Sequence, residues 1–287
     1  MNARSPLYDR VAEETASIVI RRYSTSFGLA SKLLGPGVRQ HVENIYALVR
    51  IADEIVDGVA EEAGLDTLAS GRALNELERE TELAIELGFS SNLVVHAFAL
   101  TARDVEFGSE LTAPFFESMR MDLNEKQHDQ ASFETYVYGS AEVVGLMCLR
   151  AFMKGVPVEA AEAVRLERGA RALGAAFQKV NFLRDLAADF QTLGRSYFPG
   201  VNVDTFTEAE KLRLLDDIDA DLETSAAVVP GLPASSRRAV TLAQTLFAEL
   251  SARLRKTPAS ELVRSRVRVP NPVKARLALA AALGGKP

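Results

Sequence analysis

The strongest constraint on the fold is the spacing of apolar residues in two long segments that contain no proline. Residues 37–113 and 158–198 carry none of the eleven prolines of the chain. Within both segments, apolar residues recur three and four positions apart, which is the period of an amphipathic helix. Sustained alternation, the pattern of a half-buried strand, is absent, and RVRV at 266–269 is too short to build a sheet. The pattern therefore predicts an all-α protein.

Proline and glycine punctuation places the helix boundaries to within a few residues. The predicted helices cover about 8–22, 37–57, 66–87, 91–108, 114–125, 132–154, 158–192, 207–227, 234–255 and 272–283. No low-complexity linker and no internal repeat interrupts them. We therefore expect a single all-α domain over residues 1–287.

Composition excludes several classes of protein. The net charge of −6 argues against a nucleic-acid partner, which needs a basic face. No run reaches the roughly 18 apolar residues that span a membrane, and the N-terminal MNARSPLYDR lacks a signal-peptide core, which predicts a cytoplasmic protein. The single cysteine, Cys148, excludes an internal disulfide, and its apolar surroundings favour a core residue over a nucleophile.

Two short acidic motifs carry the chemistry: ADEIVD at 52–57 and LRDLAAD at 183–189. Each places two aspartates four residues apart, Asp53 with Asp57 and Asp185 with Asp189, and such residues share one face of a helix. Both helices are otherwise largely apolar, and burying an uncompensated carboxylate is costly. Four carboxylates in two matched pairs therefore suggest a shared cation, and oxygen ligands favour Mg²⁺ over zinc.

Each acidic pair continues a polar stripe along its helix. At about 100° per residue, Tyr46 and Arg50 precede Asp53 and Asp57 on one arc, and Gln178 and Asn181 precede Asp185 and Asp189 on another. A single pair of this kind is usually a solvated helix face. Arg50 is either an ion-pair partner of the neighbouring aspartates or a ligand for an anion. Carboxylates, Mg²⁺ and arginine around one cavity describe a diphosphate site.

A diphosphate leaving group demands an organic fragment that tolerates positive charge, and allylic prenyl groups meet this condition. The remainder of such a cavity should be apolar, in order to hold a hydrocarbon and exclude water from the cation. Candidate lining residues are Phe27, Leu146, Met147 and Phe177.

Segments spread over nearly the whole chain resemble the squalene and phytoene synthase family, whose members join two prenyl diphosphates head to head. In chain order they are RRYSTSFGLAS at 21–31, IYALVRIADEIVDG at 45–58, MRMDL at 119–123, YVYGSAEVVGLM at 136–147, FQKVNFLRDLAADF at 177–190 followed by RSYFP at 195–199, and RVRVPNPVKARLAL at 266–279. The second and fifth resemble the family's two aspartate-rich motifs, and two such motifs in this order are highly specific.

The resemblance implies an all-α isoprenoid synthase fold in which both acidic helices face a central cavity. It implies Mg²⁺ ions, with Mn²⁺ as an alternative, on Asp53, Asp57, Asn181, Asp185 and Asp189. It implies that the diphosphates are held by Arg50, Gln178, Asn181, Arg184 and Arg266. Substrate would be oriented at the matched positions Ser24, Tyr46, Tyr138 and Tyr197. The implied catalytic set is Arg50, Tyr138 and the four aspartates.

The resemblance also implies a two-stage prenyltransferase reaction. One substrate ionises and is captured by the double bond of the other, giving a cyclopropylcarbinyl diphosphate, which ionises, rearranges and is quenched. The form DEIVDG is closer to phytoene synthases than to squalene synthases, so we expect phytoene from two geranylgeranyl diphosphates, without NADPH, in carotenoid biosynthesis. LAAD in place of the usual V-G-E-D, and Tyr23 where some relatives carry histidine, are departures that bear on chain length.

Three alternatives stay open at this stage. A dehydrosqualene, squalene or presqualene diphosphate synthase would use farnesyl diphosphate in the same site. An all-α metal phosphohydrolase of the HD type would use His96 with His128 and Asp129, although the polar stretch around His128 predicts exposure. A non-catalytic assembly factor would be expected to have lost some of the acids. Peripheral membrane contact is expected from the substrates alone, and the sequence does not set the oligomeric state.

Overall fold

The computed structural model describes residues 6–57, 59–125, 127–188 and 197–283, and these ranges form helices and turns without a β-strand. The α-helices are α1 (Pro6–Tyr23), α2 (Ser26–Ser31), α3 (Pro36–Val56), α4 (Val59–Glu62), α5 (Thr67–Leu87), α6 (Leu93–Asp104), α7 (Ser109–Asn124), α8 (Gln130–Val137), α9 (Val143–Met153), α10 (Ala160–Ala188), α11 (Glu208–Ala226), α12 (Ala234–Lys256), α13 (Ala259–Leu262) and α14 (Asn271–Ala282). One π-helical turn, Tyr138–Glu142, joins α8 to α9. The all-α prediction is confirmed.

Most predicted helix boundaries agree with these helices because local capping chemistry sets them. Asp66 accepts a hydrogen bond from the amide of Ala69 at the start of α5, and Asn92 does the same for the start of α6. Thr207 and Glu210 form a reciprocal capping box at the start of α11. Gly88 ends α5 in the left-handed conformation, with φ of 76°.

The prediction was wrong at two places around α7 and α8. The helix expected over 91–108 stops at Asp104, and α7 starts at Ser109 with Pro114 inside it, so proline did not mark the helix start. Glu106, with φ of 59°, turns the chain between the two helices. The helix expected over 132–154 is interrupted by the π turn, which inserts one extra residue per turn at this point.

Two large apolar clusters form most of the core. The first is built from the buried faces of α1, α3, α5, α6, α7 and α9, and it includes Phe98, Phe115 and Phe116. The second joins α8, α10, α11 and α12 with the chain around Tyr197. Helix α7 contributes Met119 to the first cluster and Met121 packs against the second, so this helix lies on the boundary between them.

The π turn packs between α7 and α10, and two glycines allow this approach. A Cβ atom on Gly139 would lie 2.1 Å from the carbonyl oxygen of Pro114 in α7. A Cβ atom on Gly174 of α10 would lie 2.5 Å from the carbonyl oxygen of Ala141 in the turn. The absence of side chains at these positions therefore lets three backbones meet beside the polar stripe of α10.

No helix within the described ranges has both the length and the apolar character needed to cross a membrane. The prediction of one domain over 1–287 stays a prediction.

We expect Gly139→Ala to lower the free energy of unfolding by about 1–3 kcal/mol, because the added methyl group must displace the backbone of α7. Urea denaturation followed by circular dichroism measures the effect. The matched control is Gly37→Ala in the first turn of α3, where an added Cβ meets nothing within 4 Å. Equal stability of the two variants would contradict this account of the helix crossing.

Candidate active site

The end of α3 presents the first acidic pair at the edge of the first apolar cluster. Asp53 lies in the last turn, and Asp57 caps the helix through its amide, which donates to the carbonyl of Asp53 at 2.8 Å. Val56, between them, is buried in the core. The helix period therefore holds both carboxylates near one another at the mouth of the helix, as the sequence predicted.

Arg50 lies on the same stripe, but its main partner is Glu54, which is not among the predicted site residues. Its guanidinium donates two hydrogen bonds to Oε1 of Glu54, one of them at 2.7 Å from Nε. Its nearest approach to Asp53 is 3.9 Å. The guanidinium also stacks over the ring of Tyr23, 4.7 Å from the centroid. Arg50 is thus held at the site while leaving Asp53 only partly compensated.

A third carboxylate, Asp122 of α7, belongs to the same cluster. Asp122 is buried, and it accepts hydrogen bonds from the hydroxyl groups of Tyr136 at 2.8 Å and Tyr197 at 3.2 Å. Neither Asp122 nor Tyr136 was among the predicted site residues, although both lie in quoted motif segments. Asp122 is a lone acid in MRMDL, and no second acid lies four residues from it to repeat the spacing of the two motifs.

The cluster is electrostatically strained, and the strain is concentrated on Asp53. Burial, and then repulsion by Asp57, raises the pKa of Asp53 well above its ordinary value; Asp122 adds to the repulsion and Arg50 opposes it. Burial and the charge of Asp122 also raise the pKa of Tyr136 well above its usual range. Asp53, Asp57 and Asp122 are therefore close enough for their charges to repel one another.

The second acidic motif is compensated in a different way. Asp185 of α10 receives Nε of Arg184 at 3.0 Å and Nε of Arg266 at 2.7 Å. Two arginines predicted to hold diphosphate therefore occupy this carboxylate in the ligand-free chain. Asp189, the other acid of the motif, lies outside the described residues.

Gln178 and Asn181 stand two turns and one turn, respectively, before Asp185 on α10. Both are half-buried, and neither side-chain amide makes a hydrogen bond within the ranges that the structure describes. Their donors and acceptors are therefore available to a ligand, as expected from the stripe.

An aromatic cluster links the two acidic helices next to the polar groups. Phe27 lies 6.4 Å from Tyr46 of α3 and 5.5 Å from Phe177 of α10, measured between ring centroids. Phe177 stacks on Phe247 of α12 at 3.8 Å. Ser24 hydrogen-bonds with Tyr46, whose pKa is raised by burial. Phe27 and Phe177, two of the predicted lining residues, are thus brought together, whereas Leu146 and Met147 pack with the first core cluster.

Two tyrosines of the YVY sequence have different surroundings. Tyr138, the predicted catalytic residue, begins the π turn and places its ring 5.2 Å from the guanidinium of Arg171. Tyr136 is the one that hydrogen-bonds within the acid cluster. Tyr197 also lies there, stacked on Phe182 at 4.0 Å with its hydroxyl on Asp122, and its substrate-binding role stays a prediction.

The histidines do not form the set that an HD phosphohydrolase requires. His96 bonds Asp9 at 2.8 Å and accepts from the amide of Ser90. His128 is buried rather than exposed, which corrects the expectation from its polar neighbours: its ring stacks with that of Tyr197. Burial raises the pKa of Cys148 to about 12, which agrees with a core role for that thiol.

The donor set fits a hard divalent cation. The cluster offers carboxylate oxygens, and a cation would relieve the repulsion of Asp53 by Asp57. Within the described ranges, no three carboxylate, imidazole or thiol side chains converge tightly enough to hold an ion by themselves. Mg²⁺ commonly binds through one or two carboxylates and completes its shell with water and phosphate oxygens, so this geometry suits Mg²⁺ that binds together with a diphosphate.

A family model described as squalene/phytoene synthase matches residues 20–272, which is most of the chain. The chain belongs to the squalene/phytoene synthase family. Its members are head-to-head prenyl synthases, so the acid cluster, the arginines and the aromatic cluster lie in a fold that works on prenyl diphosphates.

Relatives with different substrates and one solved structure are similar to this chain. The 15-cis-phytoene synthase of Paracoccus sp. (strain N81106 / MBIC 01143) is 27% identical over 84% of this chain and 82% of its own length. The 4,4'-diapophytoene synthase of Staphylococcus haemolyticus is 27% identical over 71% of this chain and 66% of its own. The crystal structure of a dehydrosqualene synthase in complex with ligand superimposes with a TM-score of 0.80, at 23% identity, over 97% of this chain and 98% of its own, which confirms the fold.

Because Asp53 holds its proton more tightly in the folded than in the unfolded chain, its ionisation opposes folding at neutral pH. We expect Asp53→Asn to raise the free energy of unfolding at pH 7, in EDTA, by on the order of 1 kcal/mol. In the parent protein the opposition should fade as pH falls through the raised pKa of Asp53, and the variant should lack that part of the pH dependence.

Urea titrations between pH 7 and pH 5 measure this difference. Glu117→Gln, at an exposed position of α7, is the charge-matched control and should leave stability unchanged. A lower stability of Asp53→Asn than of the parent at pH 7 would contradict the repulsion that we describe.

Proposed function

We propose that this chain is a phytoene synthase that condenses two geranylgeranyl diphosphates to phytoene and releases two diphosphates. The observation that carries the proposal is the match over 84% of the chain to a 15-cis-phytoene synthase, and a cluster of mutually repelling carboxylates supports it. The resemblance of DEIVDG to the phytoene synthase form of the motif supports the same substrate.

The proposed metal is Mg²⁺, with Mn²⁺ as a substitute, held by Asp53 and Asp57 on one helix and by Asp185, Asp189 and Asn181 on the other. Bound there, it would supply the positive charge that stabilises diphosphate as a leaving group. Asp122 is a further acid in the field of Asp53, and its two tyrosine partners keep it in place.

The arginines would bind the diphosphate oxygens. Arg184 and Arg266 hold Asp185 in the ligand-free chain at hydrogen-bonding distance. A cation on Asp185 would free both guanidinium groups, which can then bind phosphate oxygens in the bidentate manner that suits arginine. Arg50 binds Glu54 through Nε and Nη2, which leaves its Nη1 to donate to a phosphate oxygen.

The carbocation stage would be guided by the aromatic residues next to these charges. Phe27, Phe177 and Phe247 present ring faces, which are electron-rich and attract a cation without reacting with it. Tyr136, whose raised pKa keeps its proton in place, would hold Asp122 in position next to Asp53 through their hydrogen bond. Loss of a proton from the final cation gives phytoene, so we expect no requirement for NADPH.

A second candidate uses farnesyl diphosphate in the same site. It is favoured by the similarity to a 4,4'-diapophytoene synthase, which extends over 71% of this chain. The two candidates differ in the depth of the hydrocarbon cavity and in no polar residue that we identify.

Incubation of the purified protein with Mg²⁺ and geranylgeranyl diphosphate, without NADPH, is expected to yield phytoene and free diphosphate. Chromatography with mass detection identifies the product. A C30 product formed only from farnesyl diphosphate would replace the first candidate with the second. No diphosphate release from either substrate would reject both, provided that circular dichroism shows a folded protein.

The same assay applied to Asp53→Asn links stability to function. This variant is expected to be more stable than the parent and yet inactive, since it loses a carboxylate that the metal requires. Asp185→Ala should also abolish turnover, whereas Glu117→Gln should retain the parent rate. Wild-type turnover in Asp53→Asn would contradict the metal assignment.

Tyr136→Phe is expected to lower kcat by about 10–100-fold, as loss of a hydrogen bond that orients a carboxylate of a metal site does elsewhere. The reason is that its hydroxyl contacts the acid cluster through Asp122. Tyr138→Phe, the matched change two residues away, should stay close to the parent rate because its ring packs against Arg171. Single-turnover kinetics at saturating substrate measures both, and a larger loss in Tyr138→Phe would return the catalytic role to that residue.

A further inference from the structure

The charge of the chain is divided unevenly between two regions. Residues 1–261 contain all 39 acidic residues and 27 of the 33 basic ones, a net charge of −12. Residues 262–287 contain six basic residues and no acidic one, a net charge of +6. A basic segment in an otherwise acidic protein indicates an anionic partner, either a ligand or a surface.

The basic segment borders the candidate active site at two points. Arg266 reaches Asp185 at the end of α10, at 2.7 Å. Lys274, at the start of α14, contacts Thr25 at 3.3 Å, next to the Ser24 and Phe27 that belong to the site. The chain between these points therefore runs along the rim of the site, and Arg264 and Arg268 are exposed on it.

Helix α14 continues from this rim with one apolar face that has no cover. Leu277 and Ala281 are buried against α2 and α12. On the opposite face, at spacings of three and four, lie Arg276, Leu279 and Leu283. Leu279 is 62% exposed and Leu283 is 76% exposed. Exposed leucines next to a basic segment can enter the boundary between headgroups and acyl chains while the cations contact lipid phosphates.

Other exposed leucines of the molecule lack this setting. Leu68 and Leu87, at 68% and 66% exposed, lie on α5. That helix carries five glutamates and two arginines, so an anionic surface would repel it. Helix α1 also exposes Leu7, Val11 and Ile18, but its three arginines are balanced by three acidic residues. Among these helices, α14 with the segment before it combines exposed leucines with a net positive charge.

We propose that Arg264, Arg268, Arg276, Leu279 and Leu283 form a docking surface for an anionic lipid bilayer, which brings the rim of the active site to the membrane. The proposal deepens the proposed function, since a C20 diphosphate and a C40 hydrocarbon both partition into lipid. The arginines would contact lipid phosphates while the two leucines enter the boundary between headgroups and acyl chains.

Sedimentation with vesicles tests the surface without any substrate. The full chain is expected to bind vesicles of equal parts phosphatidylglycerol and phosphatidylcholine, to bind pure phosphatidylcholine much more weakly, and to dissociate in 1 M salt, where the Debye length falls to about 3 Å. Leu279→Gln/Leu283→Gln should abolish binding. The matched control, Leu68→Gln/Leu87→Gln, should bind like the parent. Arg264→Gln/Arg268→Gln should weaken partitioning by about fivefold for each charge removed.

Each contrary result has a defined meaning. Absence of binding to the anionic vesicles, or equal binding by both leucine double variants, overturns the proposal. A dimer that becomes monomeric in Leu279→Gln/Leu283→Gln, with no vesicle binding by the parent, would show instead that α14 contacts a second copy of the chain. Turnover of detergent-dispersed substrate is measured separately and should be unchanged in this variant, so failure of the docking surface and failure of the proposed function are distinguishable.

Discussion

Repulsion between carboxylates is the interaction on which the arrangement of this site depends. Helix α3 supplies Asp53 and Asp57, α7 supplies Asp122, and the burial that these helices share raises the pKa of Asp53 well above its ordinary value. Nothing in the helix propensity of these segments favours such an arrangement. It persists because the two apolar clusters on either side fix α3, α7 and α10 independently of the charges. The fold therefore holds Asp53 close to two other carboxylates although their charges repel, and a bound cation would weaken that repulsion.

The carboxylates of the two acidic helices differ in how closely arginines pair with them, and this difference bears on how metal and diphosphate would bind. On α3, Arg50 is bound to Glu54, so Asp53 is left partly uncompensated. On α10, Asp185 is saturated by Arg184 and Arg266. With cations and a diphosphate bound between the helices, Asp53 and Asp185 would pair with metal. Arg184 and Arg266 would then pair with phosphate oxygens. Neither ligand alone satisfies all of these groups, which favours their binding as a complex.

The sequence was sufficient to predict what helical period encodes. The first acidic pair with Arg50 on α3, and the alignment of Gln178 and Asn181 with Asp185 on α10, follow from helical spacing, which is local. Most helix boundaries follow from capping, which is also local. Asp122, Tyr136 and the buried position of His128 could not be predicted because they depend on tertiary contacts between α7, α8 and the chain at Tyr197. The sequence gives no reason to assign different roles to Tyr136 and Tyr138. The structure distinguishes them, because Tyr136 donates to Asp122 whereas Tyr138 packs against Arg171. The predicted helix start at Pro114 was wrong because α7 begins at Ser109 and continues through the proline.

The basic segment after Glu261 connects this electrostatic arrangement to the substrate. The chain has a net charge of −6 and its candidate site is lined by carboxylates. A positively charged path would therefore favour the approach of a diphosphate. Arg264, Arg266 and Arg268 lie along the rim where such a path would begin, and Arg266 already reaches the site. The same segment leads into the exposed leucines of α14, whose apolar face matches the hydrocarbon part of the substrate. One stretch of chain therefore presents both chemistries of a prenyl diphosphate, charge toward the site and apolar surface away from it.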